Sequence, residues 1–121
     1  MSATEAPEIV LIAYDAPPTI GGIQTHFAGL ARGFVENGVR CLALAPRVPG
    51  CEEFDRSFVC PIIRVGDLRK GVYALAAARQ LRYLAHKLPP PRMVIALNTL
   101  PAGLAYVLAR VRQWAPLGIT G

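Results

Sequence analysis

Two adjacent glycines, Gly21 and Gly22, lie in the stretch "YDAPPTIGGIQTHFAGLARGF" between the apolar run Ile9–Tyr14 and a periodic apolar pattern. They therefore fall where a strand passes into a helix. The first turn of a helix presents unpaired N–H groups and a partial positive charge, and both favour phosphate oxygens. Without Cβ atoms, the main chain is open to a diphosphate. The pair predicts a phosphate-binding loop, and a simple turn into the helix is the alternative interpretation.

The commonest nucleotide-binding motifs do not account for this glycine pair. Gly22 is followed by Ile, Gln, Thr and His, and the next glycine is Gly29, so the dinucleotide pattern GxGxxG is absent. The P-loop pattern GxxxxGK[ST] is absent too. Moreover, the second predicted strand does not end in an acidic residue that could hold a ribose. A reductase-type dinucleotide domain therefore remains only the third hypothesis.

The surrounding pattern predicts an α/β fold: a Rossmann-like open parallel sheet with flanking helices. The predicted strands are Glu8–Tyr14, Val39–Ala45, Ile62–Val65, Met93–Leu97 and Leu117–Thr120. The first predicted helix has the apolar stripe Ile23, Phe27, Leu30 and Phe34, and Gly38 stops it. Pro46–Pro61 has Pro and Gly punctuation without a period, which predicts a loop.

Two further helices are predicted later in the chain. One spans Gly71–Leu88, and the other starts at Pro101 as its first residue. The first of these has the apolar face Tyr73, Ala77, Leu81, Leu84 and Leu88, and the basic stripe Arg79, Arg82 and His86. The second has the core stripe Leu104, Leu108, Val111 and either Trp114 or Ala115.

Composition limits the classes of partner and compartment. The 121 residues are 53% hydrophobic, enough for a core, and the net charge of +5 favours anions. Cys41, Cys51 and Cys60 are odd in number and lack CxxC spacing, which argues for reduced thiols rather than disulfides or a zinc site. Neither a signal peptide nor an apolar run of membrane-spanning length, roughly 18 to 20 residues, is present, which predicts a cytoplasmic protein.

The segment "PPTIGGIQTHFAGLARGFVENGVRCLALAP" resembles the opening of the family 4 retaining glycosyltransferases, which have the GT-B fold. The matching positions are Gly21, Gly22, Gln24, His26, Leu30, Ala31, Gly38, Val39 and Pro46. Val94–Arg110 resembles a later strand, loop and helix of that family, and "PLGITG" resembles its next strand. The resemblance implies that residues 1–121 are the N-terminal, subfamily-4-like domain, truncated at its C-terminus, and that the donor-binding C-terminal domain is absent.

One position departs from the family pattern. The family has a His at the end of the last strand, where this chain has Thr120 and Gly121. Either Thr120 replaces that His, or the chain ends a residue or two before it.

The resemblance implies transfer of a sugar from a nucleotide-sugar donor to a glycan or lipid-linked acceptor, with retention of configuration. The main chain of Gly21 and Gly22 would approach the donor diphosphate, and no metal or other cofactor would be needed. The implied acceptor-side residues are Tyr14, Asp15, Gln24, His26, Asn98 and Thr99. A locally hydrogen-bonded His26 and helix caps at Asn98 and Thr99 are the structural alternatives. Catalytic residues are unknown, and the fragment alone is expected to be inactive.

Two further expectations concern partners. By the same resemblance, the basic stripe could contact anionic membrane at the inner face of the cell membrane, although a solvated face is the simpler interpretation. Nucleic acid is not an expected partner, because basic residues are not combined with stacking aromatics. The alternative to an enzyme is a non-enzymatic α/β module that binds a phosphorylated ligand or a protein partner.

Overall fold

The computed structural model describes residues 6–16, 18, 22–109 and 117–119. In these residues five strands form one parallel sheet, in the order β3-β2-β1-β4-β5. The strands are β1 Ile9–Ile12, β2 Cys41–Ala45, β3 Ile62–Arg64, β4 Met93–Ala96 and β5 Leu117–Ile119. The helices are α1 Gly22–Glu36, α2 Cys51–Ser57, α3 Lys70–Lys87 and α4 Leu104–Ala109. The predicted Rossmann-like, open parallel α/β sheet is confirmed.

The centre of the sheet is β1, which is hydrogen-bonded to β2 on one side and to β4 on the other. In this register Ile9 pairs with both Cys41 and Met93. All four residues of β1 are buried, as expected for a continuous apolar run in a parallel sheet. The chain moves from β1 to β2 and β3 on one side and returns to β4 on the other, so the strand order reverses between β1 and β4.

Alternate residues of β1 face two separate hydrophobic cores. Ile9 and Leu11 pack with Phe27 and Ala31 of α1. Val10 and Ile12 pack instead with α3 and α4, including Tyr73 and Leu81 of α3. The predicted apolar face of α3 is confirmed, since Tyr73, Ala77, Leu81 and Leu84 are buried and Leu88 is partly buried. The helices therefore cover both faces of the sheet.

The predicted stop of α1 at Gly38 is also confirmed. Gly38 has a φ of 76°, in the left-handed region that glycine adopts without steric cost. The Gly38 N–H donates to the Val35 carbonyl at 3.0 Å, and the Val39 N–H donates to the Phe34 carbonyl at 2.9 Å. These two bonds are those of a Schellman motif, which satisfies the last carbonyls of the helix.

The predicted loop Pro46–Pro61 was wrong in part, because it contains the seven-residue helix α2. Two turns are too short to reveal a helical period. The helix depends on tertiary contacts: Cys51 is buried, and Phe58, whose ring lies 5.1 Å from that of Phe54, also stacks on Phe27 of α1 at 5.6 Å. Glu52 and Glu53 in the first turn complement the helix dipole.

The predicted core stripe of the last helix was wrong, whereas its predicted start at Pro101 agrees with the structure. Leu100 is extended and interrupts the helical segment Thr99–Gly103, and the helical backbone that follows Leu100 continues into α4 at Leu104. Leu104 and Leu108 are each 39% exposed. The buried hydrophobic side chains in this region are small and belong to Ala102, Ala105 and Ala109. Because α4 packs closely against α3, alanine rather than leucine fits the contact face; Val111, Trp114 and Ala115 lie outside the described residues.

Candidate functional site

The candidate site lies at the carboxyl edge of the sheet, between β1 and β4. The Leu97 N–H, just beyond β4, donates to the carbonyl of Ile12 at 2.9 Å, so the ends of the two strands are adjacent. Beyond this point the chain after β1 enters α1 on one face, and the chain after β4 enters α4 on the other. When the connections after two neighbouring strands leave to opposite faces of the sheet, a crevice opens between them. Open α/β sheets bind their ligands in such crevices.

Helix α1 brings its N-terminus to this crevice. Gly22 is the first residue of the 15-residue helix, and the first turn contains no acidic side chain. The N-terminal end of the helix, which carries a partial positive charge, therefore lies at the carboxyl edge without an acidic side chain in its first turn. Gly21 lies outside the described residues, so its predicted contact with a diphosphate stays a prediction.

Tyr14 and Asp15 follow the end of β1 and are both partly buried. The Tyr14 hydroxyl donates to the carbonyl of Leu68, and its ring lies 5.9 Å from that of Tyr73 at an interplanar angle of 56°. Tyr14 is thus anchored at the edge of the crevice, and it orients the backbone that carries Asp15.

The anchor beneath Tyr14 is Tyr73 of α3, which the sequence pattern identified only as a core residue. Its buried hydroxyl lies 2.8 Å from the Ala13 carbonyl and 3.1 Å from the Leu44 carbonyl, and donates its one proton between them. Burial raises the pKa of Tyr73 well above its ordinary value, so the hydroxyl remains a neutral donor. This hydrogen bond ties α3 to the carboxyl ends of β1 and β2. A tyrosine among otherwise aliphatic stripe positions was the signal available in the sequence.

Asn98, which follows β4, has the capping role that was the alternative interpretation. Its Oδ1 accepts a hydrogen bond from the Ala102 N–H at 3.0 Å, and its carbonyl accepts one from the Gly103 N–H at 3.1 Å. The side-chain oxygen therefore holds the turn that leads into α4. Asn98 still lies at the same edge as Tyr14 and Asp15, because β1 and β4 are neighbours. The side chain of Thr99 is outside the described part of the structure.

His26 lies elsewhere. It is exposed on α1 and lines a shallow groove of about 520 Å³ that continues along the helix to Asn37. Because Asn37 follows the C-terminus of α1, this groove extends away from the carboxyl edge. The structure thus places Tyr14, Asp15 and Asn98 at the sheet edge where α1 begins, and His26 in a separate groove. The side chain of Gln24 is not among the described ones.

The loop between β2 and α2 also lies at the carboxyl edge of the sheet. Gly50, before α2, has a φ of 81°, and a Cβ at this position would lie 3.8 Å from Cγ of Pro18, in the loop between β1 and α1. Behind this loop, Arg64 of β3 donates from Nη2 and Nε to the two carboxylate oxygens of Asp55 at 2.8 and 3.0 Å. Arg64 Nη1 also donates to the Pro46 carbonyl at 3.0 Å. This bidentate pair, which sequence reasoning missed, fixes α2 beside the end of β2.

A scan of the chain against protein-family models finds no matching family, and a search of curated proteins finds no match. In the described residues, no helix combines the length and the apolar character needed to cross a bilayer. The same residues contain no group of three His, Cys, Asp or Glu side chains arranged to hold a metal ion.

Proposed function

We propose that this chain is the acceptor-side half of a retaining glycosyltransferase of the GT-B type, which transfers a sugar from a nucleotide-sugar donor. The observation that carries the proposal is the position of Gly22 at the start of α1, beside the reversal point between β1 and β4. A crevice of this kind binds ligands in other open α/β sheets, and the helix N-terminus favours phosphate oxygens. The resemblance described above supplies the reaction.

The chemistry assigned to α1 is electrostatic. When a donor held by a second lobe approaches, N–H groups of the first helical turn meet the diphosphate that departs from the sugar. Charge that develops on a leaving group is stabilised by such preorganised donors without further reorganisation. Gly22 leaves the approach free of a side chain, and the acid-free first turn adds no repulsion. The proposed chemistry needs no metal from this chain.

The acceptor is assigned to the opposite wall of the crevice. Asp15 and Tyr14 are the nearest polar side chains to the end of β1, and Asn98 contributes from the end of β4. Thr99, Gln24 and His26 remain acceptor candidates by resemblance alone. The proposed compartment is the cytoplasm, where the exposed stripe of Arg79, Arg82 and His86 would contact the anionic inner face of the cell membrane if the acceptor is lipid-linked.

The experiment is a titration of the ¹⁵N-labelled chain, followed by amide NMR, with uridine and guanosine diphosphate sugars, inorganic pyrophosphate and NADPH. We expect nucleotide sugars and pyrophosphate to shift the amide of Gly22 and its neighbours in α1, even at millimolar affinity. Gly22→Asp should abolish these shifts, because it adds bulk and negative charge at the phosphate position. The matched control is Gly29→Asp, at a site of the same helix where a Cβ meets no atom within 4 Å.

The other outcomes separate the rival functions. Shifts produced by NADPH and not by nucleotide sugars would identify a dinucleotide domain. Shifts centred on the loop before α2, or equal losses in both aspartate variants, would contradict the site. Binding of nucleotide sugars without sugar transfer by the complete gene product would favour a non-enzymatic phospholigand module.

A further inference from the structure

Two cysteines are neighbours at the amino edge of the sheet, opposite the candidate site. Cys41 is the first residue of β2, and Cys60 precedes β3 by two residues. The parallel register pairs Ala43 with Ile62, so two residues earlier Cys41 and Cys60 lie side by side. Both residues belong to the same hydrophobic core cluster and line the same groove. The two cysteine side chains are therefore neighbours in the reduced protein.

Both thiols are only 5% exposed, but they line a groove of about 340 Å³ at this edge. Val35 and Val59 also line the groove, and they are 38% and 43% exposed, so the groove opens to solvent. A molecule as small as hydrogen peroxide can enter it. A larger disulfide such as glutathione disulfide would have to displace the side chains at the opening.

The interaction between the two side chains makes the two thiols chemically different. Donation from Cys60 lowers the pKa of Cys41, and burial opposes this effect. The same hydrogen bond, together with burial, raises the pKa of Cys60. Since the thiolate is the reactive form of cysteine, Cys41 is the better nucleophile of the two.

We propose that Cys41 and Cys60 form a redox modification site that takes hydrogen peroxide. The Cys41 thiolate attacks one peroxide oxygen, the O–O bond breaks, and the departing hydroxide takes a proton and leaves as water. The thiol of Cys60 then attacks the sulfur of the resulting Cys41 sulfenic acid, so that an S–S bond forms and a second water leaves. The two sulfurs supply the two electrons that reduce the peroxide.

The disulfide would join the first residue of β2 to Cys60, two residues before β3. The loop that it closes runs from residue 41 to residue 60 and contains α2, whose first turn lies at the opposite, carboxyl edge. Oxidation would therefore restrain the segment that borders the candidate site without altering a residue of that site. The effect is reversible by a thiol reductant.

The test is peptide mapping by mass spectrometry of the folded chain after treatment with about one equivalent of hydrogen peroxide and alkylation of the remaining thiols. We expect a Cys41–Cys60 disulfide, the loss of two hydrogens in intact mass, and restoration by dithiothreitol. Cys60→Ser should accumulate a sulfenic acid on Cys41, captured by a cyclic diketone probe. Cys51→Ser is the matched control, because Cys51 is equally buried but follows the far end of β2, and its disulfide yield should equal that of the wild type.

Several results would overturn the proposal. These are a major disulfide that includes Cys51, disulfides only between chains, or sulfenic acid in Cys60→Ser without a disulfide in the wild type. Equal reaction of all three thiols in folded and urea-unfolded protein would do the same. Mapping of the wild type needs no substitution, so the proposal is tested even if a cysteine variant fails to fold.

Discussion

At the scale of single residues, the candidate site depends on side chains whose polar atoms hold backbone in place. Tyr73 fixes the ends of β1 and β2, and Asn98 fixes the turn after β4. Both lie beneath or beside the crevice, whereas Gly22 and Asp15 lie at its edge. A loss of ligand binding on mutation of Asn98 would therefore not by itself show a contact with the ligand.

The capping role of Asn98 can be separated from a binding role. Asn98→Ala removes the acceptor for the Ala102 N–H and should lower the free energy of unfolding by about 1 kcal/mol, the typical value for a lost cap. Asn98→Asp keeps an oxygen acceptor and should stay close to the wild type. Urea denaturation followed by circular dichroism measures both. Equal destabilisation by the two variants would contradict the cap.

At the scale of elements, α2 is the part of the site that depends most on its tertiary contacts. It has only two turns, and isolated helices of that length are unstable in water. Arg64 and Asp55 are 7% and 19% exposed as side chains, and their bidentate pair connects α2 to β3. The stability of the loop that borders the crevice therefore depends on the ion pair between Arg64 and Asp55.

Asp55→Asn should lower the free energy of unfolding by roughly 2 kcal/mol, because it leaves the guanidinium of Arg64 largely buried without its countercharge. The matched control is Asp67→Asn, which removes the charge from a similar Asp–Arg pair whose side chains are 42% and 75% exposed. That variant should cost clearly less, because water and salt screen an exposed ion pair. Chemical denaturation checks the difference, and equal costs would show that burial of the Arg64 pair adds nothing.

At the scale of the whole molecule, two cores on opposite faces of one sheet determine the shape of the crevice. The core under α1 includes Ala16, which follows β1, and the core under α3 and α4 packs against Tyr14. The close contact between α3 and α4 is made by alanines, whereas Leu104 and Leu108 remain partly exposed. Each wall of the crevice thus rests on its own hydrophobic core.

Truncation of leucines tests this assignment of the core. Leu81→Ala, at a fully buried position of α3, should cost about 2 to 5 kcal/mol, a large share of the roughly 5 to 15 kcal/mol typical of a domain. Leu104→Ala should cost clearly less, about 1 kcal/mol, because the side chain is already 39% exposed. Thermal and urea denaturation measure both, and a cost for Leu104 equal to that for Leu81 would restore the leucine stripe first predicted for the last helix.

Long, strongly periodic segments were predictable from local pattern. The all-apolar run of β1, the apolar face of α3 and the glycine that ends α1 each have a cause within a few residues of sequence. From these alone follow the parallel sheet and the position of Gly22 at the start of a helix, beside the end of β1.

Features that depend on contacts between distant segments were not predictable. The short α2 needs Arg64, and the alanine face of α4 follows from how closely α3 approaches, a distance that hydrophobicity does not encode. Asparagine suits both a helix cap and a contact with the acceptor, so only the position of the Ala102 N–H shows that Asn98 is a cap. Likewise, 18 residues of chain separate Cys41 from Cys60, and only the pairing of β2 with β3 makes the two cysteines neighbours.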